Sequence, residues 1–274
     1  MVRDRRITAQ LARLAFGFAA YGTYVFVLLP IVLVVWLSFF AGAIPSLPPT
    51  GYSLRWYYGL LGERQFVDGF VTSLEVALLA TVCGLAASLP AALALTRMAF
   101  RGREAILQLL MSPIVVPAIV IGAGLYLFFV ETEIATGLPL VGSVAGLAAA
   151  HVLLTIPWCL RILAANLHGL DPSIEDAALS LGATRLVTTL KVTLPAIWPG
   201  IVAAALLSFV ISFGNLEVSL FLVAPGETTL PIAILQYLEW RIDPTIAAVS
   251  VVQIAIVGGG LLVTNRFLPL TRVI

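Results

Sequence analysis

Long apolar runs alternate with short polar segments along the whole chain. Six of these runs reach or approach the roughly 20 apolar residues that a helix needs to cross a bilayer. They cover about residues 21–40, 70–95, 106–130, 141–163, 197–223 and 246–263. The pattern predicts an all-α polytopic membrane protein with about six transmembrane helices, which we treat as one transmembrane domain over residues 1–274.

The composition agrees with a membrane protein and excludes an ordinary soluble domain. Hydrophobic residues make up 61% of the 274 residues and charged residues 11%, with a mean hydropathy of +1.07. A soluble globular domain carries roughly 25% charged residues. The net charge of +1 adds little, because the positions of the basic residues decide how a membrane protein is oriented.

The first apolar run admits two interpretations. Ala41-Gly42-Ala43 matches the small-residue cleavage pattern of a signal peptide. The apolar core of a signal peptide, however, spans only about 7 to 15 residues, and this run is longer. We therefore expect an uncleaved first transmembrane helix.

The basic residues divide unevenly between the two sides that six spans would define. One side holds 12 of the 15: Arg3, Arg5, Arg6, Arg13, Arg97, Arg101, Arg103, Arg161, Arg185, Lys191, Arg266 and Arg272. The other side holds Arg55, Arg64 and Arg241. Since basic residues are enriched in cytoplasmic loops, we expect both termini and the polar segment between the fourth and fifth runs to be cytoplasmic.

That polar segment, about residues 166–195, begins with the signals of a short surface helix. Asp171 can cap the helix, and Pro172 suits the first turn because the backbone nitrogen there needs no partner. Glu175 and Asp176 lie near the positive end of the helix dipole. Gly182 is the expected end of the helix.

A second short helix is expected directly afterwards. Thr184 can cap it, and it would run from Arg185 to Leu190. Pro195 would end it before the fifth apolar run begins. In a chain dominated by apolar runs, these two helices form the sizeable segment suited to a soluble partner.

The segment closely resembles the EAA loop of ABC importer permeases. That loop has Glu-Ala-Ala, three residues, Gly, nine residues and then Ile-x-Leu-Pro. The matching positions here are Asp176-Ala177-Ala178, Gly182 and Val192-x-Leu194-Pro195. Asp176 replaces the family's Glu and Val192 replaces its Ile, and both changes keep charge or shape.

The resemblance implies a type I ABC importer permease whose loop docks on an ATPase. The residues that it implies in ATPase coupling are Glu175, Asp176, Ala177, Ala178, Gly182, Ala183, Leu194 and Pro195. It also implies a second permease, homologous or identical, two ATPase subunits that bind ATP and Mg, and a periplasmic substrate-binding protein. This chain would lie in lipid in the bacterial inner membrane, and we expect it to bind no cofactor, metal or nucleic acid.

Three further segments resemble the spermidine/putrescine-type permeases within this family. They are Gly51 to Tyr57, Ser212 to Glu217 and Thr229 to Pro231. The subgroup implies a small cargo, polyamine-like or alternatively ferric iron, thiamine or aminoethylphosphonate. In this subgroup the usual motif of the segment in the fifth apolar run is Ser-Phe-Asp-Asp/Glu. Here Gly214-Asn215 replaces the first acidic position.

Two carboxylates lie within apolar runs, where an ionisable residue is costly unless it faces protein or water. Glu75 is five residues into the second run, and Glu217 is six residues before the end of the fifth, close to Asn215. We assign all three to a candidate substrate path, with an interfacial or capping role as the alternative for Glu75. An ion-coupled secondary transporter would also use such carboxylates. An intramembrane hydrolase is a weaker alternative, because the motif around Ser143 is incomplete.

Other reactive residue types offer little chemistry. Lys191 is the single lysine and is not part of a Gly-Lys-Ser/Thr phosphate loop, so ATP hydrolysis is expected on a partner subunit. His151 and His168 lack a metal-binding spacing and fit polar groups within the helix bundle or at its edge. Cys83 and Cys159 fall inside apolar runs and are expected to be buried free thiols.

Overall fold

A computed structural model describes residues 2–224 and 226–267, and these residues form helices joined by turns. The helices are α1 (Val2–Leu37), α2 (Arg55–Leu60), α3 (Arg64–Arg97), α4 (Arg103–Val115), α5 (Ala118–Thr136), α6 (Val144–Gly169), α7 (Pro172–Ser180), α8 (Arg185–Thr188), α9 (Leu194–Ala196), α10 (Trp198–Phe213), α11 (Ser219–Leu222), α12 (Leu230–Trp240) and α13 (Thr245–Phe267). A π-helical turn, Thr189–Thr193, joins α8 to α9. The all-α prediction is confirmed.

Five helices in the described part of the chain are long and apolar enough to cross a membrane. They lie at Arg13–Leu37, Arg64–Arg97, Ala118–Thr136, Val144–Gly169 and Thr245–Leu262. A sixth arises if Arg185–Ala196 and Trp198–Phe213, which meet at 70°, form one broken span. Pro225 and residues 268–274, which include Arg272 of the basic-residue count, lie outside the described residues.

The third apolar run, predicted as one span over 106–130, is two helices. The chain leaves the helical conformation at Val116, whose ψ is 131°, and Pro117 then precedes α5. Proline has no N–H to donate and disfavours a helical residue before it, so it separates α4 from α5. Glu133 lies inside α5, where its Oε1 accepts hydrogen bonds from the backbone N–H groups of Leu140 and Val141.

The fifth run, predicted as one span over 197–223, is also interrupted. α10 ends at Phe213, residues 214–218 form a non-helical break, and α11 follows as one short turn. Hydropathy alone could not reveal this break, because most of its neighbours are apolar. The prediction that Glu217 lies inside a helix was therefore wrong.

Several helix ends also differ from the apolar runs. α3 begins at Arg64 and α6 continues to Gly169, since polar residues at the ends of a run can remain helical. The segment between the fifth and sixth apolar runs contains the eleven-residue helix α12. Cys159 is buried as expected, whereas Cys83 is exposed, so the prediction of burial was wrong for Cys83.

The chain divides into two compact units, residues 1–62 with 237–254 and residues 63–236 with 255–274. In the first unit, the segment after α1 folds back on itself through a bridge between Phe40 and Tyr52. Trp56 donates its ring N–H to the carbonyl of Phe40 at 2.7 Å, and Ser38 and Tyr57 share a hydroxyl hydrogen bond of 2.6 Å. These contacts hold the aromatic residues after α1 in place.

The second unit is built around α3, α6 and α10. Close packing of α3 on α6 depends on Gly84, where an added Cβ would lie 2.5 Å from Thr155 Oγ1. The core beside it contains buried Leu160, Leu163 and Leu167 of α6. Small residues at such crossings let the helix backbones approach closely, as is common in membrane proteins.

Candidate functional site

The loop between α6 and α10 begins with a helix that is capped at both ends. The Asp171 carboxylate accepts a hydrogen bond from the Ser173 N–H at 2.9 Å, and Pro172 is the first helical residue. This backbone hydrogen bond lowers the pKa of Asp171, so the cap is lost only as the pH falls through that lowered value. At the other end Gly182 has φ +88°, and the Ala183 N–H reaches back to the Ala178 carbonyl at 3.1 Å. The predicted cap and stop are both confirmed.

The second part of the loop starts as predicted but continues further. Thr184 Oγ1 accepts from the Val187 N–H, and the chain then stays helical through the π-helical turn and α9. Pro195 therefore does not end this helix, and the direction changes at Ile197 instead. Proline lacks an amide donor for the helix. The π-helical turn ends at Thr193, two residues before Pro195, and changes the hydrogen-bond register close to the position where that donor is missing.

Glu175 faces its own chain. Its Oε2 lies 2.9 Å from Arg97 Nε at the end of α3, and its Oε1 accepts a 2.7 Å hydrogen bond from Thr193 in the π-helical turn. Arg97 also donates to the carbonyl of Leu170 at 3.2 Å. The Arg97 side chain is 23% exposed and the Glu175 side chain 16%, so this ion pair is partly shielded from solvent. Together with the Thr193 hydrogen bond, it ties α7 to α3 and to the π-helical turn.

α7 is held mainly by these polar contacts, because none of its residues is buried. A cavity of about 510 Å³ lies between α7, the end of α3 and α8, and Arg97, Asp176 and Arg185 are among its lining residues. The helix thus stands on the surface with most of its area free. Such a helix can meet a partner without first unpacking from its own chain.

The residues predicted to couple to an ATPase differ in exposure. Asp176, Ala177, Gly182 and Pro195 are exposed, whereas Glu175, Ala178, Ala183 and Leu194 are half-buried. Leu181, which the sequence argument missed, is 90% exposed. A large apolar residue directly before the stop glycine of a surface helix is the signal that could have found it.

The candidate substrate-path residues lie in different elements. Asn215 and Glu217 share the break after α10, where Asn215 Oδ1 accepts from the Val218 N–H at 3.0 Å. Glu75 lies eleven residues after the start of α3, deeper in its helix than the apolar run predicted. Both carboxylates are exposed, and within the described residues no hydrogen bond or ion pair joins them.

Glu75 and Glu217 are nevertheless linked through their neighbours. Val76 and Val218, the residues that directly follow them, are buried in the same apolar cluster. That cluster therefore anchors both carboxylate-bearing segments while leaving the carboxylates exposed. Among the described side chains, no group of three or more His, Cys, Asp or Glu could hold a metal ion.

Similar proteins are membrane subunits of transport systems. The chain is 31% identical over 236 residues to the putrescine transport system permease protein PotI of Escherichia coli (strain K12), covering 86% of this chain and 84% of PotI. It is 28% identical to the spermidine/putrescine permease PotC of Haemophilus influenzae, covering 89% and 91%. A probable molybdenum ABC transporter permease of Haloferax volcanii is 33% identical, covering 70% and 72%.

The fold matches a solved importer over most of its length. A bacterial alginate ABC transporter, solved with an alginate pentasaccharide-bound periplasmic protein, gives a TM-score of 0.73 at 16% identity, covering 96% of this chain and 95% of that one. The family described as binding-protein-dependent transport system inner membrane component matches residues 80–268, which include the capped loop, the break and α13. This chain belongs to that family of ABC importer permeases.

Proposed function

We propose that this chain moves a small polyamine-like solute from a periplasmic binding protein into the cytoplasm by ATP-driven alternating access. As a permease subunit it is not an enzyme, and ATPase activity lies in a partner subunit. The proposal rests above all on the loop between α6 and α10, where a capped helix with no buried residue exposes Asp176 and is followed directly by the exposed Leu181. Stable docking needs an exposed, preformed surface of this kind.

The contacts around α7 support its role as a lever. The Arg97–Glu175 pair joins it to the end of α3, and the Thr193–Glu175 hydrogen bond joins it to the turn that leads into α10. A displacement of α7 by a moving ATPase would therefore act on two membrane helices at once. We propose that closure of the ATPase pair rocks these helices between inward-open and outward-open states.

The proposed assembly contains a second permease, homologous or identical, two ATPase subunits and the binding protein. ATP and Mg would be bound by the ATPase subunits. Both termini and the loop would be cytoplasmic, as the distribution of basic residues predicts. The membrane helices of this chain would contact lipid and the second permease.

The proposed cargo follows from the relatives and from the exposed carboxylates. PotI and PotC are permeases of putrescine and spermidine/putrescine systems. Glu75 and Glu217 offer negative charge, and Asn215 a carbonyl, to an amine cation. Ferric iron, thiamine and aminoethylphosphonate are the alternative cargoes.

Uptake by the reconstituted importer tests this function. Putrescine uptake should require ATP, the ATPase and the binding protein, whereas an ion-coupled transporter would work without an ATPase. Changing Glu217 to Gln should lower uptake by about fivefold to tenfold, because a hydrogen bond to a charged group is replaced by a weaker one to a neutral amide. Basal ATP hydrolysis should be unchanged, and Glu131→Gln, an exposed carboxylate of α5, is the control. Normal uptake by Glu217→Gln would exclude Glu217 from the path.

A further inference from the structure

One buried histidine bridges the two sides of the break in the fifth apolar run. His151 of α6 is only 1% exposed. Its Nδ1 lies 2.7 Å from the hydroxyl of Ser212, in the last turn of α10, and its Nε2 lies 3.1 Å from the hydroxyl of Ser219, the first residue of α11. A single side chain on a neighbouring helix therefore fixes the distance between the end of α10 and the start of α11.

The hydrogen atoms available determine the direction of these bonds. The Ser219 hydroxyl donates its one hydrogen to the carbonyl of Asn215 at 2.9 Å. Its oxygen must therefore accept from Nε2–H of His151. In the neutral ring Nδ1 is then the acceptor for the Ser212 hydroxyl. The result is a continuous series of hydrogen bonds from Ser212 through His151 and Ser219 to the backbone carbonyl of Asn215.

The far side of the break is also packed against α5. An added Cβ at Gly122 would lie 3.1 Å from Val218 Cα and 3.2 Å from the Glu217 carbonyl oxygen. Val218 and Leu222 are fully buried in the apolar cluster. With both ends held in this way, Gly214 and Glu217 remain exposed between them.

We propose that His151 is a positioning residue of the translocation path, which holds the break in the conformation that presents Glu217 to the cargo. This proposal rests on the proposed function. Any buried neutral histidine needs a partner for each ring nitrogen, so the position of those partners is what distinguishes this one. His151 uses both ring nitrogens, and its two partners stand on opposite sides of the same break.

Thiol labelling at position 217 measures how accessible the break is to a reagent in water. A chain with Cys83→Ser, Cys159→Ser and Glu217→Cys would be assembled into its importer, and the rate of reaction with a charged methanethiosulfonate reagent measured. His151→Leu removes both bonds and should change this rate by about fivefold to tenfold, since each buried hydrogen bond shifts such an equilibrium by a few fold. His151→Gln can keep the donor to Ser219 and should give an intermediate rate.

Thr155→Ala provides the matched control, because it removes a buried hydroxyl without adding volume beside Gly84. Thr155 is a buried polar residue one turn further along α6, and its hydroxyl donates to the carbonyl of Val152 rather than to the break. This variant should label at the rate of the parent chain. Labelling within twofold of the parent for both His151 variants, in complexes that retain their ATPase, would overturn the proposal.

Uptake measured with native Glu217 separates this proposal from the proposed function. A labelling change together with slower uptake supports both. A labelling change with normal uptake supports the role of His151 in the break and removes Glu217 from the path. Slower uptake by the His151 variants without a labelling change refutes the positioning role, because the effect would then not pass through the break.

Discussion

Leu181 gives a quantitative prediction for the proposed contact between the capped loop and the ATPase. Its side chain is 90% exposed and directly precedes Gly182, which has φ +88°. If the ATPase covers it, Leu181→Ala removes three apolar carbons from the interface. At roughly 0.8 kcal/mol per carbon the loss is about 2.4 kcal/mol for full burial and about 1.2 kcal/mol for half burial. The dissociation constant of the ATPase should therefore rise by about eightfold to about 60-fold.

The assay is a titration of the purified ATPase onto the permease pair held in lipid nanodiscs. Leu138→Ala is the matched control, because Leu138 is 60% exposed in the turn after α5 and is predicted on the opposite side of the membrane. The control should bind with the affinity of the parent chain. An affinity within twofold of the parent for Leu181→Ala would refute the inference that this side chain is buried by the ATPase.

Two further predictions concern the break and the membrane orientation. Gly122→Ala places a Cβ against the backbone of the break, which should lower the stability of the fold by about 1–3 kcal/mol and slow uptake. Gly124→Ala, whose added Cβ would have no neighbour within 4 Å, should behave as the parent. Equal uptake by the two variants would contradict this packing. In a background without native cysteines, an impermeant thiol reagent added to intact cells should label Ser53→Cys and spare Ser180→Cys; labelling of both would contradict a cytoplasmic loop.

Local signals in the sequence predict the first half of the loop between α6 and α10 well. The Asp171 cap, the proline at the first helical position and the left-handed Gly182 each depend on residues within one turn. Thr184 as the second cap follows the same logic. These features are predictable because the chemistry that forms them is short-range.

Features that depend on distant residues could not be predicted in this way. The Arg97–Glu175 pair joins α3 to α7, and nothing local to Glu175 distinguishes an inward-facing carboxylate from one that meets a partner. The break after Phe213 lies in an apolar run, so hydropathy treats it as helix. It is held by His151, a residue of another helix, which the sequence marks only as a polar group in the bundle.

Cargo-stimulated ATP hydrolysis by the assembled importer tests the coupling role of the loop most directly. Gly182→Asp forces a side chain into a left-handed conformation at a cost of roughly 1 kcal/mol and places it at the expected contact. Gly137→Asp, at φ +73° in the turn after α5, carries similar strain on the predicted opposite side. Asp176→Lys reverses a charge at the expected contact, and Asp176→Glu restores the residue of the EAA pattern. We predict that Gly182→Asp and Asp176→Lys abolish stimulation of ATP hydrolysis by cargo and weaken binding of the ATPase. Gly137→Asp and Asp176→Glu should keep normal stimulation and normal ATPase binding. Full ATPase retention with normal stimulation in the two disruptive variants would contradict the coupling role.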